Sequence, residues 1–362
     1  MSDNSAQPPA PAPATTPHRR RPRYAGRNPR RFDEKYKERD PQRYAATVAK
    51  VIASGKTPAG THRPIMVAEI LEALAPRPGE IAVDCTLGYG GHAAELLARL
   101  QPGGRVLGLD ADPVELPKTE ARLRALGFGP ESFTVHRSNF AGLPQVLATF
   151  FSSHPTLEHP GADVILADLG VSSMQIDDPA RGFSVKREGP LDMRMNPQRG
   201  QPASLLLQKI SPANLETLLI ENADEPRARE LARLLAGKHF TTTTSLAAAI
   251  KTALPRLNED DRALTLRRVF QALRIAVNDE FSALDTFLRY LPACLNPGGR
   301  VAILTFHSGE DRRVKKSFEA GLRDGFYADI AREVIRPTPG ECHANPRSAP
   351  AKLRWAHRPT NR

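Results

Sequence analysis

An α/β fold is predicted for this chain: a mostly parallel sheet with helices on both faces, interrupted after its fourth strand by an all-helical insertion. Three observations carry that prediction. Beyond residue 60, short apolar runs alternate with helical patterns. The regular spacing then fails between Asp168 and Val301, where the pattern is helical throughout much of the stretch. Finally, the first apolar run ends in a carboxylate and a glycine-rich turn, Asp84-Cys85-Thr86-Leu87-Gly88-Tyr89-Gly90-Gly91-His92, followed directly by a helical pattern from Ala93 to Leu100.

The strands are expected at Ile81 to Asp84, Val106 to Asp110, Phe133 to His136, Val164 to Asp168 and Val301 to Phe306. Each is short and apolar, as strands covered on both faces are. A helical segment begins at Pro113, after the second run. Two further candidate strands, Glu333 to Arg336 and Lys352 to Ala356, are joined by a Pro/Gly-containing segment without helical pattern and read as an antiparallel pair at the sheet edge. In the long gap, helical patterns occupy Ala213 to Ile220, Arg227 to Leu235, Ser245 to Leu254 and Leu264 to Phe281. They form an insertion at the carboxyl edge of the sheet, where ligands of open α/β folds bind. The expected organisation is an arm over residues 1–60, a sheet domain built from 61–177 and 284–362, and a substrate-recognising helical insertion over 178–283.

Composition sets further bounds. The formal charge is +11, and residues 1–60 hold 13 Lys and Arg against 5 Asp and Glu. The first 17 residues are rich in Pro, Ala and Ser and cannot bury enough apolar surface to fold. After them comes His18-Arg19-Arg20-Arg21-Pro22-Arg23-Tyr24, then Arg27, Arg30 and Arg31, the make-up of a tail that meets nucleic-acid phosphates without reading sequence. The alternative is a solvated tail that aids solubility. No apolar run is long enough to span a membrane. Cys85, Cys294 and Cys342 lie far apart, with no C-x-x-C spacing and no zinc-like His/Cys cluster, which suggests a reducing, cytoplasmic setting and no metal.

The glycine turn reads as a cofactor loop, because glycines let the backbone approach a ligand that faces the free N–H groups of the next helix. Asp110 closes the second strand, where a carboxylate accepts hydrogen bonds from both ribose hydroxyls of an adenosine. Dinucleotide dehydrogenases use G-x-G-x-x-G, whereas this loop is G-x-G-G-H with Asp84 before it. A carboxylate there holds an amino group and repels a pyrophosphate, which favours S-adenosylmethionine over NAD. The bland alternative for Asp84 and Asp110 is a helix N-cap and a solvated strand end.

Past the fourth strand lies Asp168-Leu169-Gly170-Val171-Ser172-Ser173-Met174-Gln175, then Arg181-Gly182-Phe183-Ser184 and Gly189-Pro190-Leu191-Asp192-Met193-Arg194-Met195, a stretch expected to be a binding loop. The fifth strand ends in Phe306-His307-Ser308-Gly309-Glu310-Asp311-Arg312. These four blocks, together with Asp84 to His92, resemble the ribosomal RNA small subunit methyltransferase H family, also called MraW, over roughly residues 61–358. The resemblance implies a Rossmann-like class I methyltransferase sheet and N4-methylation of a cytidine in the decoding region of 16S rRNA, in the small ribosomal subunit or a late precursor, with S-adenosylmethionine as donor. Carried over by motif, the cofactor contacts are Gly90, Gly91, His92, Asp110, Phe140, Asp168 and Gln175. The chain departs from the family pattern at Asn196, at Ala223-Asp224-Glu225-Pro226, at Gly309, and at Asn345 to Pro350, where a second Arg is missing; the cofactor motifs are intact.

The amine of cytidine is a poor nucleophile, because its lone pair is delocalised into the ring. Asp168, as a hydrogen-bond acceptor for the amine protons, is the expected catalytic residue. His92 and His307 read as structural histidines or as bases, with His307, Ser308, Glu310, Asp311 and Arg312 shaping the substrate side. Arg181 and Arg194 meet phosphates or pair with neighbouring carboxylates. Two other classes compete: an RNA-binding assembly protein that has lost activity, suggested by Gly309 and Pro226, and a nucleotide-dependent oxidoreductase, disfavoured by the G-x-G-G-H loop.

Overall fold

A computed structural model describes residues 64–157 and 160–360, so the basic arm lies outside the described residues. Five strands run parallel: β1 (Ile81–Asp84), β2 (Arg105–Asp110), β3 (Phe133–Arg137), β4 (Ala162–Asp168) and β5 (Leu295–Thr305). β6 (Asp329–Ile330) and β7 (Lys352–His357) complete a sheet of order β3-β2-β1-β4-β5-β7-β6, with β7 antiparallel to both its neighbours. Chain order reverses between β1 and β4, and ligands of such sheets bind outside the strand ends at that point.

Helices α1 (Val67–Leu74), α2 (Gly91–Leu100) and α3 (Leu116–Ala125) cover one face, and α4 (Leu143–Ser152) begins the cover of the other. After β4 come a short α5 (Ser173–Asp177) and a 3-10 turn over Pro179–Arg181. The insertion then runs through α6 (Ala203–Lys209), α7 (Pro212–Ala223), α8 (Ala228–Leu235), α9 (Thr243–Ala253) and α10 (Glu259–Asn278). α11 (Glu280–Cys294) and α12 (Ser308–Arg323) return to the face of α4, and α13 (Pro339–Ala344) precedes β7.

Strand alternation explains why both faces are dry. Val83, Ile165 and Ile303 point into the core under α4 and α11, while their neighbours Ala82, Leu166 and Ala302 point into the core under α1 and α2. The insertion has an apolar cluster of its own, from Leu191 and Met193 to Leu273, which is separate from both sheet cores. Its helices start where their sequences say they should. Ser211 accepts from the Asn214 N–H ahead of Pro212, Thr242 and Ser245 form a reciprocal cap, and Asn258 caps α10 with Glu259, Asp260 and Asp261 in the first turn, against the positive end of the helix.

Several sequence expectations need correction. The helical run from Leu264 to Phe281 is two helices, because Asp279 is left-handed (φ 51°, ψ 40°) and ends α10 as it starts α11. The expected loop after Asp168 contains α5, held by a capping box in which Ser172 Oγ accepts from Gln175 N and Gln175 Oε1 accepts from Ser172 N. Glu333 to Arg336 is no strand. Ile335 makes both bonds of one bridge with Leu353, but Pro337 has no N–H to continue it, and Asp329–Ile330 pairs with the rest of that edge of β7. The segment leading to β7 holds α13, capped by Thr338 with Pro339 at its first position. β5 begins at Leu295, earlier than expected, because the register jumps across Asn296 to Gly299 before regular pairing resumes at Arg300.

Candidate active site

Three carboxylates arrive at the same edge of the sheet, Asp84 from β1, Asp110 from β2 and Asp168 from β4. A cavity of about 720 Å³, within the range of small-molecule sites, is lined by Asp110 and Asp168, whereas Asp84 is 2 % exposed and lies outside its lining. All seven residues expected to contact a cofactor (Gly90, Gly91, His92, Asp110, Phe140, Asp168 and Gln175) line it.

The glycine turn is shaped by backbone that side chains resist. Gly88 and Gly90 have φ of 48° and 83°, and a Cβ at Gly90 would lie 2.8 Å from Thr119 Cγ2. Asp110 holds this turn to the next one, since its Oδ2 accepts from Gly88 N at 2.7 Å and its Oδ1 from Asp112 N at 2.8 Å. Each oxygen keeps a further lone pair for an outside donor. Burial raises the pKa of Asp110, and those two N–H donors oppose the rise. Phe140, half-buried, packs edge-to-face with Phe287 (centroids 5.6 Å apart) and lines the cavity.

Asp168 closes β4 beside the glycine turn. Its backbone N–H donates to Thr86 Oγ1 at 2.6 Å, which ties the end of β4 to the glycine turn. Burial, and secondarily the Glu310 carboxylate, push the Asp168 side chain up to about 7. Asp84 is likewise raised to about 6, by burial against the opposing pull of His92. His92 is held neutral by burial, its pKa lowered despite Asp84. Its Nε2 lies 3.0 Å from the Ile65 carbonyl, which only accepts, so Nε2 carries the proton. The lone pair of Nδ1 therefore faces Asp168 Oδ2 at 3.7 Å. The cavity lining thus presents the carboxylates of Asp110 and Asp168, with no Lys or Arg ion-paired to either among the described residues. Such a lining suits a ligand carrying a sulfonium and an amino group and disfavours a pyrophosphate, so the residues present fit S-adenosylmethionine.

Other expected residues fall differently. Gln175 reaches the cavity, but its amide is engaged by protein: Oε1 in the cap of α5, and Nε2 donating to Asp112 Oδ2 at 2.9 Å. Arg181 and Arg194 are paired with carboxylates. Arg181 donates to Asp112 Oδ2 at 2.8 Å and to the Arg194 and Met195 carbonyls, and Arg194 grips Asp192 through two nitrogens. Of the cluster after β5, Glu310 and Phe306 reach the cavity. His307 caps α12 and lies 3.2 Å from Glu310 Oε1, Asp311 is bound by Lys352 and Arg354, and Ser308 and Arg312 reach Asp224 at the end of α7. Among the departures, Gly309 leaves room for the Phe281 ring, whose edge would stand 2.6 Å from an added Cβ.

Asp112 was not anticipated. It is 1 % exposed and joins three segments, accepting from Val114 N, Gln175 Nε2 and Arg181 Nη1. The buried pair Arg274–Glu280, bound at 2.8 Å through two bonds where α10 meets α11, also lines the cavity without having been expected. The S-x-x-Q spacing of Ser172 and Gln175 was the one available signal, since it announces a helix start rather than a ligand contact.

Comparisons with known proteins agree with this geometry. Residues 59–359 match the MraW methylase family. Ribosomal RNA small subunit methyltransferase H 1 of Lachnoclostridium phytofermentans is 50% identical over 94% of this chain and 93% of its own length. Ribosomal RNA small subunit methyltransferase H 2 of Alkaliphilus metalliredigens is 50% identical over 93% of this chain and 97% of its own. The ribosomal RNA small subunit methyltransferase H of Rubrobacter xylanophilus is 39% identical over 83% and 96%. With a match running through every strand of the sheet and both walls of the cavity, this chain belongs to the MraW methylase family.

Proposed function

We propose that the protein transfers a methyl group from S-adenosylmethionine to N4 of a cytidine in the decoding region of 16S rRNA, acting in the cytoplasm on the small ribosomal subunit or a late precursor. The observation that carries this reading is the carboxylate of Asp168, set at the end of β4 beside Thr86 and His92 in a cavity whose glycine turn and Asp110 suit an adenosyl ligand. The relatives named for ribosomal RNA small subunit methylation support it.

S-Adenosylmethionine supplies an electrophilic methyl on a sulfonium. The chain's residues do the rest. Asp110 would hold the ribose hydroxyls, Phe140 would lie against the adenine, and Gly90 and Gly91 would let the backbone come close to the bound molecule. Gln175 acts through Asp112, to which it is hydrogen-bonded, keeping the adenosine end of the site in place. Asp168 accepts a hydrogen bond from the cytidine amine, which concentrates its lone pair on N4, and takes up the proton released when the N–C bond forms. Positioning accounts for much of the acceleration, as no covalent intermediate with the protein is needed. The helical insertion over 178–283 recognises the RNA, and the target base enters unstacked.

Incubating the full-length protein with methyl-labelled S-adenosylmethionine and small subunits lacking this modification should place one labelled methyl on N4 of one cytidine, located by mass spectrometry of the digested RNA. Absence of label in RNA, with cofactor bound normally, would favour an assembly factor without activity.

Two expected results follow from the same reading. Asp110→Ala should bind S-adenosylmethionine roughly 10- to 100-fold more weakly, since a charged hydrogen bond is worth about 1.5–3 kcal/mol; calorimetric titration checks this, and an unchanged constant removes Asp110 from the cofactor's contacts. Deleting residues 1–60 should weaken RNA binding and flatten its salt dependence, by about 0.7 in log–log slope for each phosphate no longer neutralised, while cofactor affinity stays put. Identical slopes would leave the arm a solubility tail.

A further inference from the structure

The arginines first expected to meet phosphate are spent on carboxylates, and two others take the open positions. Arg137 ends β3, the edge strand of the sheet, in register with Asp110 of β2. Arg199 stands in the turn between Asn196 and Gly200 that leads into the insertion. Both are exposed and both line the cavity, so both stand at its mouth. Among the described residues neither side chain is ion-paired, whereas Arg181, Arg194, Arg274 and Arg347 are bound by Asp112, Asp192, Glu280 and Asp177.

The turn bearing Arg199 is a built feature. Met195 N donates to Asn278 Oδ1 at 2.7 Å, Asn278 Nδ2 donates to the Met193 carbonyl at 2.8 Å, and Arg199 N donates to the Asn196 carbonyl at 3.1 Å. Its backbone is therefore fastened to the end of α10 while its guanidinium stays unengaged. Arg137 is fixed in the same manner by the β2–β3 ladder.

The site consequently has opposite charges at its two depths: the buried or half-buried carboxylates of Asp110, Asp168 and Glu310 in its lining, and the exposed cations of Arg137 and Arg199 at the mouth. An RNA chain has a matching division, with uncharged bases and anionic phosphates. A phosphate is repelled from those carboxylates and attracted to the rim, so only the base enters. We infer that Arg137 and Arg199 hold the phosphates that flank the target cytidine, setting how far the nucleotide enters the cavity. This inference rests on the RNA-methylating function proposed above.

The test uses full-length protein and small ribosomal subunits lacking the methyl group. R137A, R199A, R137A/R199A and R137K/R199K are compared with wild type in single-turnover methyl transfer against subunit concentration, at two salt concentrations, and each is titrated with S-adenosylmethionine. In the double alanine variant the half-saturating subunit concentration should rise about tenfold or more, and the log–log salt slope should fall by about 0.7 for each phosphate left without its arginine. The rate at saturation and the cofactor affinity should change only about twofold, since phosphate contacts position rather than react. The double lysine variant should recover most of the loss, because charge at the rim is what matters. Wild-type half-saturation and salt slope in the double alanine variant would overturn the inference while leaving the proposed function standing. A loss of cofactor affinity in R137A without a change in subunit dependence would also overturn it, assigning Arg137 to the cofactor. If wild type itself transferred no methyl to the subunit, the proposed function would fall, and this inference with it.

Discussion

Replacing Asp168 with Ala should lower single-turnover methyl transfer at least about 100-fold, the scale of a lost proton acceptor, while RNA binding changes little. The reason is selective: hydrogen bonding to the amine matters most as N4 gains its new bond, so the carboxylate favours the transition state more than the bound substrate. Asp168→Asn separates two contributions, because the amide oxygen still accepts a hydrogen bond but takes up no proton. It should fall between Ala and wild type. Burial chiefly pushes the pKa of this carboxylate in the free protein up to about 7, and on the proposed mechanism the ionised form is the active one. Transfer at low cofactor concentration should therefore rise with pH through that region and level off above it, and Asp168→Asn should lose that rise. Stability has the opposite sign. The folded-state pKa lies above the ordinary 3.8, so the folded protein keeps a proton that the unfolded chain releases, and this contribution is lost as pH climbs from about 4 through 7. Asp168→Asn should accordingly raise the melting temperature more at pH 8 than at pH 5. Near-wild-type turnover in Asp168→Ala with saturating substrates would remove Asp168 from the chemistry.

Asp112→Ala should be the most damaging single change to stability near the site. It leaves the Arg181 guanidinium, 12 % exposed, without its carboxylate, and frees the Gln175 amide and the Val114 N–H. Breaking a buried pair from one side costs about 3–5 kcal/mol. For a domain of this size that corresponds to a fall of roughly 10 °C in melting temperature, read by calorimetry. Asp112→Asn keeps the shape and one acceptor and should lose less. Both variants keep the backbone N–H that residue 112 donates to Asp110, but they weaken the side-chain bonds to Gln175 and Arg181 that hold this turn in place, so cofactor affinity should weaken in both. A melting point within a degree or two of wild type in Asp112→Ala would show that Arg181 finds solvent or another partner.

The parallel strands were legible as short apolar runs, and the positions of Asp84, Asp110 and Asp168 because three of those runs end in an acid, a pattern that local composition alone specifies. The helical content of the insertion was legible for a similar reason. What sequence could not supply was partnership. Nothing near Arg181 in the chain says that its carboxylate is Asp112, and nothing near Arg274 marks its two-bond pairing with Glu280 across a helix junction. Asp279 defeated the helical pattern for a related reason: apolar periodicity continues through it, and only the backbone dihedral records the break. At the far edge of the sheet, Val334 and Ile335 have strand-like side chains, but Pro337 and the prior pairing of Asp329–Ile330 decided the outcome.

The place where the insertion leaves the sheet also governs how the molecule is made. β4 and β5 are adjacent in the sheet, yet β4 ends at Asp168 and β5 starts at Leu295, so their pairing must wait until the whole insertion has left the ribosome. Closing so long a loop is slow relative to forming local helical contacts. The insertion has its own apolar cluster and needs no strand to begin folding, whereas β4 must wait with one edge unpaired, a template for association with other chains. Early folding of the insertion shortens the distance that β5 must search and limits the lifetime of that open edge. The insertion, whose last helix lines the cavity in the finished protein, thus serves during synthesis as the brace that brings the two halves of the sheet together.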